Sequence, residues 1–147
     1  MLIALTDRIY VAPQISTAAV SQAADLGVSL IVNNRPEGES PDQTPGDVIE
    51  AAARAAGLTY AAIPVTHAGF APWQLDALDD VLARNGNGKA LLYCRSGTRS
   101  TLLWALARAR AGDDVEALGQ TARAAGYDIS PVRQFMDVLA SGGPSTD

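Results

Sequence analysis

Ala90-Leu91-Leu92-Tyr93-Cys94-Arg95-Ser96-Gly97-Thr98-Arg99-Ser100 is the stretch on which the reading of the chain turns. Its first five residues form an unbroken apolar run, the pattern of a strand buried on both faces of a parallel sheet. From Thr98 the pattern becomes helical through Ala111, with Leu102, Leu103, Leu106 and Ala109 spaced to pack. Between the two, a cysteine is followed by two arginines, a glycine and two hydroxyl residues, a set that an apolar core would exclude. A thiol placed there meets successive backbone N–H groups and a helix N-terminus, which together attract negative charge. The same field stabilises a thiolate, so Cys94 is read as a nucleophile rather than as core filler. Gly97 permits the turn that aims the amides inward. Arg95, Ser96, Gly97 and Thr98 then make an anion-binding loop, to which Thr98 and Ser100 offer hydroxyls. Arg99 closes it with a planar fork that can hold two oxygens of one anion.

Outward from this stretch, apolar runs alternate with helical patterns, which predicts an α/β fold with a mainly parallel central sheet flanked by helices. Strands are expected over 9–12, 28–32 and 59–65, besides 90–94. Ser16 is a plausible N-cap for a helix through Ala24 that Gly27 closes. A second helix is expected over 47–56, stopped by Gly57, and a third from Pro72 to about Arg84. Asn85-Gly86-Asn87-Gly88 is a turn signal, and two further helices fit 115–125 and 130–139. The polar segment 33–46 carries Pro36, Pro41 and Pro45 and reads as a long loop, a length that is often functional. One domain over residues 1–140 is expected, with residues 141–147 as a disordered tail.

Eleven Lys and Arg against sixteen Asp and Glu leave a net charge of −5, and no basic run is long enough for a nucleic-acid partner. No apolar run approaches the ~20 residues of a membrane span. The first residues lack the pattern of a signal peptide, so a soluble, cytoplasmic domain is expected. A single cysteine excludes an internal disulfide and a multi-thiolate metal site. Neither a metal nor a cofactor is expected.

Several motifs together resemble the phosphatase-like domain of beta-lactamase hydrolase-like proteins, a bacterial group with the dual-specificity phosphatase fold. They are Gln14-Ile15-Ser16, Val32-Asn33-Asn34-Arg35-Pro36-Glu37-Gly38-Glu39, Asp42-Gln43, Ile63-Pro64-Val65, the Tyr93–Ser100 segment and Ala125-Gly126-Tyr127-Asp128. The resemblance runs from Leu5 to about Arg133. It implies a dual-specificity-phosphatase-like single domain and a cysteine-dependent enzyme acting on a small anionic substrate: thiosulfate, a persulfide or a phosphate ester.

Two chemistries are associated with that kind of fold and loop. Cysteine phosphatases carry Cys-x5-Arg, whereas rhodanese-type sulfurtransferases carry Cys-x4-Arg. Four residues separate Cys94 from Arg99, the sulfurtransferase spacing. A phosphatase of this fold also supplies an aspartate from the loop that is here Thr66-His67-Ala68-Gly69-Phe70-Ala71, which holds no carboxylate. The main expectation is therefore sulfur transfer through a Cys94 persulfide. The alternatives are a phosphatase acting through a phosphocysteine and a silent anion-binding module.

Other candidates are less determined by sequence. His67 lies in the loop that would cover the site, as an anion contact or weak acid, or with no role. Arg35 follows a strand end as a second anion contact or loop organiser, or else pairs with Glu37 or Glu39. Asn33 and Asn34 are expected to hydrogen-bond backbone, Trp73 and Trp104 to pack, and Asp76, Asp79 and Asp80 to form a solvated helix face.

Overall fold

The computed structural model describes residues 1–142. Of the expected tail, residues 143–147 lie outside the described residues. Five strands form one sheet in the order β1-β2-β5-β3-β4: β1 is Ile3–Ala4, β2 Ile9–Ala12, β3 Val28–Asn33, β4 Thr59–Ala62 and β5 Lys89–Tyr93. Every pairing is parallel except β1 with β2. The apolar run proposed as a buried strand takes the centre, with Val11 of β2 on one side of Leu92 and Val32 of β3 on the other.

Because side chains alternate along a strand, β5 feeds two separate cores. Leu91 and Tyr93 join Ala12, Ile15, Val20, Ile31 and Ile49 on the face covered by α1 (Thr17–Asp25) and α2 (Gly46–Ala55). Ala90 and Leu92 join Val11, Val32 and the larger helical layer on the other face. That layer contains α3 (Pro72–Arg84), α4 (Thr98–Arg110), α5 (Val115–Ala124) and α6 (Arg133–Ala140). Nine of the thirteen residues of α4 are buried, so it is enclosed on most sides instead of showing one apolar stripe. It follows the Cys94 loop directly, and its burial anchors that loop to the densest part of the core.

Local signals placed most boundaries. Ser16 caps α1 by accepting from the Ala19 N–H at 3.2 Å, and Pro72 opens α3. Four features differ from the expectations. The short strand β1 had too few residues to carry a periodic signal. The strand expected over 59–65 ends at Ala62, because Pro64 has no N–H to continue the ladder. Ile63 and Val65 still donate to Asn33 O and Asn34 O, both at 2.9 Å, so the segment keeps its course past the sheet edge. The helix expected over 130–139 divides into a 3-10 turn, Ser130–Val132, and α6. Trp104 is core at 4% exposure, whereas Trp73 stands 53% exposed and does not pack as expected. Asp76 and Asp79 each pair with Arg110 at 2.9 Å, and Asp80 pairs with Arg84. Among the described residues, no helix is long and apolar enough to cross a membrane.

Candidate functional site

Three parallel strands end at one edge of the sheet, and their following loops meet around Cys94. The Cys94 N–H donates to Ala12 O at the end of β2 at 3.3 Å, and the Asn34 N–H after β3 donates to Tyr93 O at 2.8 Å. These bonds continue the ladder one step past β5 and hold the cysteine at the root of its loop. Cys94 is fully buried.

The loop's carbonyls are tied outward one after another. Arg95 O accepts from the Gln14 N–H at 3.2 Å. Ser96 O accepts from the Tyr127 hydroxyl at 3.1 Å. Gly97 O accepts from the Thr101 N–H at 3.0 Å and from Thr101 Oγ1 at 2.8 Å. All peptides among the described residues are trans, so a carbonyl directed outward turns the next N–H inward. The Gly97 N–H accordingly donates to Cys94 Sγ at 3.1 Å. Gly97 holds φ +93°, a left-handed conformation that favours glycine. Ser96 Oγ accepts from the Thr98 N–H at 3.3 Å and donates to Thr98 Oγ1 at 3.0 Å. The expectation that Ser100 serves the sulfur or an oxyanion is corrected, since its hydroxyl donates to Asn34 Oδ1 at 2.8 Å. Asn34 Nδ2 in turn donates to Ile63 O at 2.8 Å, joining three loops through one buried amide.

Arg99 departs from the expectation of an open fork. Its Nη1 donates to Glu39 Oε2 and to Val65 O, both at 2.7 Å, and its Nη2 donates to Glu39 Oε1 at 2.8 Å. A carboxylate of this chain therefore occupies the bidentate position, supplied by the long loop after β3. The Arg99 hydrogen bonds, opposed by burial and aided by Arg35, bring the Glu39 carboxyl down to about 2. Glu39 raises the Arg99 guanidinium in return, and the Cys94 sulfur close by adds to that effect.

Arg35 is 4% exposed and pairs with Glu39 instead of Glu37: its Nε donates to Glu39 Oε1 at 3.0 Å. Its other nitrogens donate to Gln14 Oε1 at 3.0 Å and Ser40 Oγ at 3.1 Å. The long loop is thus an ordered arm whose contacts end on Arg99. Glu37 instead accepts from the Gly46 N–H at 2.9 Å, at the start of α2. Asn33 Oδ1 accepts from the Arg35 N–H at 2.9 Å, while its Nδ2 donates to the Tyr60 hydroxyl at 3.0 Å. Arg95 and His67 are exposed, His67 on the tight turn made by the Gly69 N–H donating to Thr66 O at 3.1 Å.

Three contributors escaped recognition as site residues: Gln14, Glu39 as the partner of Arg99, and Tyr127. All three sit in segments that carry the family motifs. The available signal was a polar residue after a strand or helix end, which names no partner. Among the described residues, no cluster of three or more His, Cys, Asp or Glu could hold a metal ion.

A cysteine at the root of a strand-loop-helix turn on a mainly parallel sheet, with the Gly97 N–H turned onto its sulfur, defines a domain of the dual-specificity-phosphatase-like fold. Residues 2–111 match the phosphatase-like domain of beta-lactamase hydrolase-like proteins, and the chain belongs to that family. The beta-lactamase hydrolase-like protein of Xylella fastidiosa (strain 9a5c) is 35% identical over 147 residues, which cover 97% of this chain and 33% of the relative. The chain thus spans about a third of the length of the curated relatives it matches. A candidate phosphatase from Neisseria meningitidis Z2491 superimposes with a TM-score of 0.80 at 30% identity, covering 93% of this chain and 96% of that one. The core catalytic domain of the PP-IP phosphatase SIW14 from S. cerevisiae, in complex with citrate, gives 0.66 at 13% identity over 93% and 82% of the two chains, which speaks for the fold alone. The family match and the Neisseria likeness favour the phosphatase-like alternative over sulfur transfer, the main expectation from loop spacing.

Proposed function

We propose that the domain is a cysteine-dependent phosphatase-like hydrolase of small phosphate esters, with Cys94 as nucleophile. The observation that carries this reading is the Gly97 N–H on Sγ at 3.1 Å within a loop whose carbonyls are tied outward. In the first step Sγ attacks phosphorus, an S–P bond forms and the ester P–O bond breaks. The loop amides and the Arg99 charge stabilise the added negative charge in the transition state. The ester oxygen leaves with the bonding pair and takes its proton from water, because the loop 66–71 holds no carboxylate. Water then attacks the phosphocysteine, releasing orthophosphate and regenerating the thiolate. Esters with stable leaving groups, such as aryl phosphates, are the preferred substrates on this argument.

A second reading, sulfur transfer, is favoured by the four-residue spacing from Cys94 to Arg99 and by the same carboxylate-free loop. There Sγ attacks the outer sulfur of thiosulfate, an S–S bond forms and sulfite leaves as a stable anion. An acceptor thiolate then removes the persulfide sulfur. Parallel assays on one sample separate the readings. The hydrolase predicts aryl-phosphate turnover that Cys94→Ser abolishes, with no mass change after thiosulfate. Gain of one sulfur atom on Cys94 without phosphate turnover refutes it in favour of sulfur transfer. Neither activity, with retained anion binding, refutes both and leaves a binding module.

A further inference from the structure

Tyr127 lies 31 residues beyond Ser96, on the segment joining α5 to the 3-10 turn, yet it touches the Cys94 loop. Its hydroxyl donates to Ser96 O at 3.1 Å, while the other end of that same peptide, the Gly97 N–H, donates to Cys94 Sγ at 3.1 Å. A trans peptide carries its C=O and N–H in opposite directions, so fixing one end fixes the other. The contact is close-fitting: a Cβ built at Gly97 would stand 2.2 Å from Tyr127 Oη and 2.9 Å from Cζ. The ring packs partly against the larger core, and the Tyr127 N–H donates to Ala122 O at 2.9 Å, tying the residue to the end of α5. Burial, and after it the neighbouring Cys94, push the Tyr127 phenol up, which keeps the hydroxyl a proton donor.

We infer that Tyr127 is a positioning residue: its hydroxyl sets the Ser96–Gly97 peptide so that the Gly97 N–H points at the atom on which Cys94 chemistry occurs. This rests on the reading of Cys94 as the nucleophile. The two neighbouring peptides are held by other means, by the Gln14 N–H and by Thr101, so Tyr127 controls one donor of the ring and leaves the rest in place.

The test compares the full chain with Tyr127→Phe and Tyr127→Leu by amide hydrogen exchange and by titration with inorganic orthophosphate. The Phe variant keeps the ring over Gly97 and removes only the donor. The expected result in both variants is about ten-fold faster exchange at the Gly97 amide and a three- to ten-fold weaker orthophosphate affinity, the scale of one ordinary hydrogen bond. Amides of α5 and α6 should keep their wild-type exchange, a separation that a merely structural role would not produce. Unchanged Gly97 exchange in Tyr127→Phe overturns the inference, as does a loss confined to Tyr127→Leu, which would assign the effect to ring packing. If orthophosphate fails to bind even the wild type, the hydrolase reading falls, and Gly97 exchange alone still decides the role of Tyr127.

Discussion

Replacing Glu39 by Gln removes a charge while preserving shape, and it tests the claim that this carboxylate is the counter-ion of Arg99. In the wild type, Glu39 accepts two bonds from Arg99 and one from Arg35. A glutamine offers one acceptor oxygen and turns its NH2 towards a guanidinium, donor against donor. The Glu39 carboxyl falls from 4.5 to about 2 on folding, which corresponds to about 3 kcal/mol of preference for the ionised folded state. Glu39 and Arg99 keep 18% and 20% exposure, so solvent screening reduces this to about 1–2 kcal/mol. For a domain of this size that is a melting temperature lower by about 3–8 °C at neutral pH. The sign of the pH dependence follows from the depressed folded value: the stabilisation is complete above about pH 4.5 and is lost as the pH falls towards about 2. Urea denaturation of both proteins at pH 7.5, 4.0 and 3.0 should therefore show a gap that narrows with acid. An equal gap at all three values would mean that shape and not charge carries the effect, and no gap at pH 7.5 would refute the ion pair as a stabilising contact.

Three further outcomes are expected. Cys94→Ser should abolish turnover while keeping orthophosphate affinity within about three-fold, since the outward-tied carbonyls do not depend on sulfur; titration calorimetry checks this, and full activity would exclude covalent catalysis. Asn34→Ala leaves the Ser100 hydroxyl and Ile63 O without their partner at fully buried positions; a loss of about 3 kcal/mol is expected by urea unfolding. Gly97→Ala places a Cβ 2.2 Å from Tyr127 Oη at φ +93°; about 1–2 kcal/mol of strain and a collapse of orthophosphate binding should follow, read by melting and titration on the same sample.

The family resemblance rested on short motifs, and each proved to be a loop at the same edge of the sheet or the Tyr127 segment that reaches it. Gln14 holds Arg95 O and Arg35; the 33–39 motif supplies Asn33, Asn34, Arg35 and Glu39; Ile63 and Val65 provide carbonyls to Asn34 and Arg99. Their polar residues were visible one by one. Which would meet was not, because an Arg35 next in sequence to Glu37 and Glu39 has two equally local partners, and the choice depends on where Arg99 arrives from 60 residues away.

The apolar strand at β5, the glycine-dependent turn after Cys94, the cap at Ser16, the start of α3 at Pro72 and the helix from Thr98 were all determined by sequence alone, since each is an effect of neighbours within a turn or two. Tertiary structure decided the rest. Strand order β1-β2-β5-β3-β4 sets β5 between β2 and β3 and so brings Gln14 and Glu39 to the loop from opposite sides. The packing of α4 against α5 and α6 delivers Tyr127 to Ser96 O. Hydrogen bonds between loops carry no periodicity along the chain; they exist only once the sheet has closed the distance between their ends.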